Sequence, residues 1–340
     1  MRDGRRGKCF HPFRDFSKVT QNGCSLILQR RIVDFSAERS FGDTAAALKE
    51  HLNIDVSIYS IDKTTQDIAR SAKLHNAESP DGIKPAETLV SEVDGSMLPI
   101  VTFDKDKDGA KHANTKDRRK HRQCLWKEIR VSTVSNPDTA DTYYGVALGE
   151  PYCVGLMMLD TCKFKGMQDG TYIHAVADGA SWIADQYEKQ FGAQCKFTLD
   201  MYHACEYLAD AANSTSMNQE ERNRWLETQK ASLRESEARE VIKALKTLKR
   251  VKNGDDGIGN IELAIKYLTK RIDQLDYKEA IKRNLPIGSG EVESAHRHIL
   301  QKRLKIPGAW WRLERAEEMA QLRAMRANNR WNEFWERKCA

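Results

Sequence analysis

A chain of 340 residues with 40% hydrophobic and 31% charged side chains is too long for one minimal module, and its composition excludes a disordered or fibrous protein. No run approaches the ~18 consecutive apolar residues of a membrane span, and the basic start MRDGRRGKCF lacks the apolar stretch of a secretory signal, so a cytoplasmic protein with no membrane partner is expected. The formal net charge of +6 leans toward polyanionic partners without deciding the matter. Eight cysteines occur without a CxxC pair, which argues against a zinc knuckle and for free thiols in a reducing compartment.

Residues 1–74 read as a helical DNA-binding region. Leu28, Ile32 and Phe35 form one helical stripe, Ala45, Leu48 and Leu52 a second, and Ile58, Ile61 and Ile68 a third. Ser40 and Asp43 have capping-box spacing and would start the second helix at Phe41, while Asn53-Ile54-Asp55 would form the turn before the third. The outline is a helix-turn-helix, or else a plain three-helix bundle. In the first reading the third helix presents Ser57, Tyr59, Ser60, Lys63 and Thr64 to phosphates and base edges.

Residues 75–87 (HNAESPDGIKPAE) combine prolines, glycine and polar residues, and read as a linker. Thr88 to Thr102 alternates apolar and polar residues around Asp94-Gly95, which predicts a strand, a tight turn and a returning strand, with Asp94 at the first strand's end. Lys105 to Arg122 is a basic excursion able to lie along a DNA backbone, and Leu125 to Val134 resumes a strand. Tyr172 to Ala177 (YIHAVA) predicts a buried central strand, closed by Asp178-Gly179 before a helix containing Trp182, Ile183 and Tyr187. Lys196 to Leu199 makes another strand, closed by Asp200 and followed by helix-like MYHACEYLADAA. Strand and helix alternate, so an α/β layer is expected.

From about 216 to 283 the pattern becomes helical and charged, with stripes at Ile242, Leu245, Leu248 and at Ile265, Leu268, Ile272, as expected of an all-helical insertion. Pro286 to Gly290 then breaks the chain before a helix that carries Glu291 and Glu293 in its first turns and the basic residues His296, Arg297, Lys302 and Arg303 after them. Residues 305–340 form a helical tail whose Trp310, Trp311, Trp331 and Trp335 read as packing groups.

Two aspartates closing separate strands and a glutamate on a later helix are what two-metal phosphoryl transfer requires, since magnesium prefers hard oxygen ligands. Glu291 and Glu293 lie two apart on a helix, pointing about 200° from each other, so only one of them can face the metals. Asp200 and His203 form a D-x-x-H beside the second aspartate, in which Asp200 either serves the site or caps the following helix.

At SLILQRRIVDFSAERSF, EVDGSMLPIV, VADGASWI, LDMYHACEYL and PIGSGEVESAHRHILQKRLKIPGAWW the chain resembles the ISKra-type family of bacterial insertion-sequence transposases, distant relatives of the Mutator-like elements. The likeness covers nearly the whole chain, and the motifs in this order are specific. It implies a ribonuclease-H-like catalytic domain over 88–304 with the helical insertion inside it. It also implies a DDE triad of Asp94, Asp178 and Glu293 holding two Mg2+ ions (or Mn2+), and marks Asp200 and His203 as a near-site signature. DNA ends and target DNA would be the partners of a homo-oligomer associated with the nucleoid. Arg297, Lys302 and Arg303 join the expected DNA contacts. The N-terminus begins abruptly, so a missing upstream segment is expected to bear on end recognition rather than on chemistry. Two other readings keep some of these features: a metal-dependent nuclease or resolvase that cuts without joining, and a non-enzymatic DNA-binding regulator.

Overall fold

The computed structural model describes residues 19, 23–103, 122–139, 141–249 and 259–339. It is a mixed α/β protein. Its described residues fall into two units, one within Met1–Ser79, Met97–Ile129 and His296–Ala340 and the other within Pro80–Ser96 and Arg130–Ala295.

The first unit opens with three helices, α1 (Leu26–Ser36), α2 (Phe41–Leu52) and α3 (Ile58–Asn76). Each starts where a serine hydroxyl accepts a first-turn amide: Ser25 from Leu28, Ser40 from Asp43 and Ser57 from Ser60, satisfying donors that the helix leaves orphaned. Asn53 ends α2 in the left-handed region at φ 52°, which an asparagine tolerates. Ile32, Leu48 and Ile61 are fully buried at the centre, flanked by Leu28, Phe35 and Ala45. Leu52 and Ile58 depart from the predicted stripes and are exposed; one is the last residue of its helix and the other the first.

Helix α3 ends at Asn76, so the expected linker starts slightly later than His75, which is buried. A later helix, Leu313–Ala327, packs along α3, bound by Arg70 to Glu318 (3.1 Å) and Lys73 to Glu317 (2.8 Å). Of the tail's indoles, Trp311 and Trp335 are buried as expected of packing groups, whereas Trp310 is 39% exposed.

The sheet has five strands in the order β3-β2-β1-β4-β5. They are β1 (Thr88–Phe103), β2 (Arg122–Ser135), β3 (Thr142–Leu148), β4 (Tyr172–Ala177) and β5 (Cys195–Leu199). β1 pairs in parallel with β4, and β4 with β5. The expected turn at Asp94-Gly95 is overturned: the chain passes straight through these residues as one long strand. Gly95 is not among the glycines with positive φ, and a two-residue hairpin turn needs positive φ. An Asp-Gly pair inside an alternating run fits either outcome locally, and strand pairing decides. The basic excursion after β1, apart from Arg122, lies outside the described residues.

In the second unit Leu89, Val93, Ile173, Ala175 and Ala177 project from the sheet onto helices α4 (Pro151–Phe164) and α5 (Ser181–Phe191) through Val154, Met158, Ile183 and Tyr187. β3 and α4 were not anticipated from the sequence, although Pro151 at the first helical position is a recognisable start signal. Helix α6 (Met201–Asn213) packs on the expected helical block, which comprises α7 (Gln219–Arg234), α8 (Ala238–Thr247), α9 (Asn260–Lys270) and α10 (Tyr277–Lys282). Leu208, Leu233, Val241, Leu245, Ala264 and Leu268 form its core. Helix α11 (Gly290–Ala295) follows, and the chain then winds as a π-helix over His296–Gln301. Among the described residues no helix is long and apolar enough to cross a membrane, and the cysteines at 24, 124, 153, 162, 195, 205 and 339 form no disulfide.

Candidate active site

Strand register aligns the segments that lead into three aspartates. Glu92 pairs with Val176 across β1 and β4, and Ala177 with Leu199 across β4 and β5. Carried one or two residues further, the same offsets set Asp94 beside Asp178 and Asp178 beside Asp200. Neighbouring strands lie about 4.8 Å apart, and the C-terminal ends of parallel strands are where open α/β sheets bind ligands. Asp94 thus lies within β1, just past its pairing with β4, rather than at the strand's end. Both flanking acids are half-buried, and each uses one carboxylate oxygen locally: Asp94 Oδ1 accepts from Gly95 N at 2.7 Å, and Asp178 Oδ1 from Ala180 N at 3.0 Å.

Asp200 is structural. It exposes 1% of its surface, and its Oδ1 accepts from the amides of Tyr202 (2.6 Å) and His203 (3.2 Å), capping α6. Its Oδ2 accepts from Ser289 N (2.7 Å) and Ser289 Oγ (2.5 Å). Burial pushes this carboxyl up, but contacts with His203 and Ser289 outweigh it and hold it down at about 2. His203 Nδ1 stands 3.8 Å from Asp200 Oδ1. That contact, against some desolvation and with the charges of Glu206 and Asp178 behind it, lifts the imidazole to about 9. His203 therefore brings a positive charge to the vicinity of Asp178 at neutral pH.

The loop before α11 is tied at further points. His174 Nε2 donates to Pro286 O at 2.7 Å, and Met201 N donates to Ile287 O at 2.9 Å. Gly288 lies against the Tyr202 ring, where an added Cβ would come within 2.6 Å of a ring carbon. At the start of α11 the buried Glu92 Oε2 accepts from Val292 N at 2.9 Å, placing a carboxyl oxygen where the helix leaves amides unsatisfied. Burial raises Glu92 to about 8, with the charges of Glu291 and Asp200 adding to the effect, so it is largely protonated at neutral pH. Glu291 and Glu293 are both exposed. Glu291 is drawn toward β3, 3.3 Å from Thr142 Oγ1 and 3.5 Å from Tyr144 OH.

The turn carrying Asp178 is clamped by the end of α9. Arg271 Nε donates to Gly179 O at 3.0 Å and its guanidinium stacks on Tyr267 at 4.0 Å. A Cβ on Gly179 would fall 2.4 Å from both Arg271 Nε and Tyr267 OH, so a side chain here would have to displace that clamp. The sequence reading missed Glu92, His174, Arg271 and Ser289. Of these only Glu92, a charge inside the apolar run LVSEVDG, left a visible signal.

The β1–β4 pairing ends at Glu92 and Val176, and its offset continued two residues points Asp94 toward Asp178. Glu293 does not join them in a formed cage, since among the described residues no three His, Cys, Asp or Glu side chains form a metal-holding group. The donor chemistry of the pair still fits a hard divalent cation, because both are carboxylates at the ends of adjacent paired segments.

Two expected DNA contacts are corrected. Thr64 is 4% exposed; standing three residues after Ile61 and four before Ile68, it falls on the inward stripe. Arg303 is 3% exposed, donates to Ser36 O at 2.8 Å and lies 4.9 Å from both the Phe41 and Trp311 rings, and burial lowers it to about 10. Ser57 is occupied as a cap, and Lys302 pairs with Glu38 at 2.8 Å. Tyr59, Lys63 and Arg297 are exposed, and Ser60 is half-buried. No family model matches the chain, and a search of curated proteins finds no match.

Proposed function

We propose that this chain is a DNA transposase of the DDE class, with a ribonuclease-H-like catalytic domain built on the sheet of the second unit and Asp94, Asp178 and Glu293 as its acids. The observation that carries the reading is the β1–β4 register, whose offset, continued two residues past Glu92 and Val176, sets Asp94 opposite Asp178. Asp94 and Asp178 would hold Mg2+ or Mn2+, with Glu293 completing the set. Two such ions, when bound, activate an attacking oxygen and stabilise a leaving one.

The protein's own part is placement. Asp200, His174 and Glu92 fix the start of α11 and so restrict where Glu293 can point, while Arg271 fixes the turn of Asp178. Holding reacting groups in a set geometry removes much of the entropic barrier to a bimolecular step. The positive charge on His203 opposes the mutual repulsion of the nearby carboxylates.

The experiment is incubation of the purified protein with labelled insertion-sequence-end duplex and Mg2+ or Mn2+, beside Asp94→Ala, Asp178→Ala and Glu293→Ala. Metal-dependent cleavage followed by joined products, lost in each variant while DNA binding persists, is the expected result. Cleavage retained in all three variants removes the triad. Cleavage without joining makes the protein a nuclease, and binding without cleavage makes it a regulator.

A further inference from the structure

The chemistry above gives no part to Tyr202, the second residue of α6. Tyr202 is 73% exposed, more than any other tyrosine, tryptophan or phenylalanine among the described residues. A lone exposed ring is ordinary on a protein surface; this one is held in place, and held beside the acids. Its amide donates to Asp200 Oδ1 at 2.6 Å. One edge of the ring lies on Gly288, where an added Cβ would come 2.6 Å from its Cε2 and 2.7 Å from its Cδ2.

The surroundings tie the ring to two of the proposed acids. Asp200 Oδ2 accepts from Ser289 N at 2.7 Å, and Met201 N donates to Ile287 O at 2.9 Å, so the start of α6 is fastened to the loop that leads into the helix of Glu293. The next residue, His203, lies near enough to Asp178 for that carboxylate's charge to reach it, behind its contact with Asp200. Tyr202 therefore borders the approach to Asp178 on one side and to Glu293 on the other.

That place selects the occupant. Inside an intact duplex each base face is covered by its neighbours, and reaching one requires unstacking. Cleavage makes an end, and the terminal base then has a bare face. A tyrosine ring offers rigid contact area at little entropic cost, and base–aromatic stacking tolerates any sequence because every base has a π-face. We infer that the Tyr202 ring stacks on the terminal base of the cut 3′ end and so holds the freed 3′-hydroxyl beside the acids for joining. The inference deepens the transposase reading and rests on it.

The test is binding of insertion-sequence-end duplex by the full chain, Tyr202→Ala and Tyr202→Phe, with the duplex either continuous through the cleavage position or already cut there. Ca2+ replaces Mg2+, supplying a cation for oxygen ligands without the octahedral geometry of magnesium, and affinity is read apart from turnover. Tyr202→Ala is expected to bind the cut duplex about fivefold or more weakly than the parent and the continuous duplex equally well. Tyr202→Phe, which keeps the ring, should match the parent on both. An unchanged affinity of Tyr202→Ala for the cut duplex, with the parent chain still cutting and joining in Mg2+, overturns the inference and leaves the transposase reading intact. Equal losses on the two duplexes, or a Tyr202→Phe variant as weak as Tyr202→Ala, overturn it as well, since the ring would then not be reading an end. A parent chain that binds neither duplex overturns both readings.

Discussion

Replacing Asp200 with asparagine tests the claim that the loop before α11 is held by a buried anion rather than by packing. Its carboxylate accepts four hydrogen bonds, two at each oxygen. Asparagine keeps the shape but must turn an NH2 toward a pair of these donors, and only the Ser289 hydroxyl can reverse its role. The drop from the ordinary 3.8 to about 2 corresponds to about 2 kcal/mol favouring the ionised form. Leaving a buried donor unpaired costs about 1–3 kcal/mol more, so Asp200→Asn should destabilise the protein by about 3–5 kcal/mol at pH 7.

The sign with pH follows from linkage. A carboxyl depressed in the folded state contributes stability that is present above its unfolded pKa of about 4 and is lost as pH falls toward 2. Urea denaturation of parent and variant at pH 7, 5, 4 and 3 measures this. The difference should hold from pH 7 to 5 and narrow below 4. Ser289→Ala should be non-additive with Asp200→Asn in a double-mutant cycle. A variant within 0.5 kcal/mol of the parent (roughly the effect of an uninvolved surface change), or a gap independent of pH down to 3, would refute the buried tie.

Four further outcomes are expected. Gly179→Ala forces a methyl onto Arg271 and Tyr267, and should lower thermal stability by about 1–3 kcal/mol; Arg271→Ala, which makes room, should lessen that penalty in the double variant, and additive losses would contradict the clamp. His174, driven below its ordinary value by burial, contributes as the neutral ring above about pH 6.5, and that stability declines as pH falls. His174→Gln keeps a donor for Pro286 O and should flatten the fall in melting temperature between pH 7 and 5; an unaltered fall would count against it. Arg303→Ala should destabilise the protein by roughly 2–5 kcal/mol through lost buried hydrogen bonds and ring contacts, whereas Arg297→Ala should leave denaturation midpoints unchanged; similar midpoints for the two would return Arg303 to the surface. Glu92→Gln can still accept from Val292 N and no longer ionises. It should therefore gain on the parent as pH rises from about 4.5 to about 8, where the parent's unfolded state ionises while the folded carboxyl stays protonated; a stability difference that does not change between pH 4 and pH 9 would show that Glu92 is solvated.

Much of the fold is written in local pattern. Ser40 and Asp43, the αL residue Asn53 and the stripe through Ile32, Leu48 and Ile61 set the helical unit without reference to anything distant, and YIHAVA could hardly be other than a buried strand. The errors arise where two local solutions are equally good. Asp94-Gly95 serves a hairpin or a through-going strand, and Arg303 serves a phosphate or a cage of Phe41 and Trp311. In each case distant partners decide, and the sequence does not print their register. The same limit explains the site. Asp94, Asp178 and Asp200 each stood out because an acid follows a strand pattern, yet the row they form depends on offsets of pairing between segments some 20 and 80 residues apart. That row also separates roles that the sequence could not: Asp200 spends all four hydrogen bonds on Tyr202, His203 and Ser289, which makes it the fixed end from which the helix of Glu293 is hung. In the proposed acid set Asp200 is an additional aspartate, whose part is to hold the start of the helix that carries Glu293.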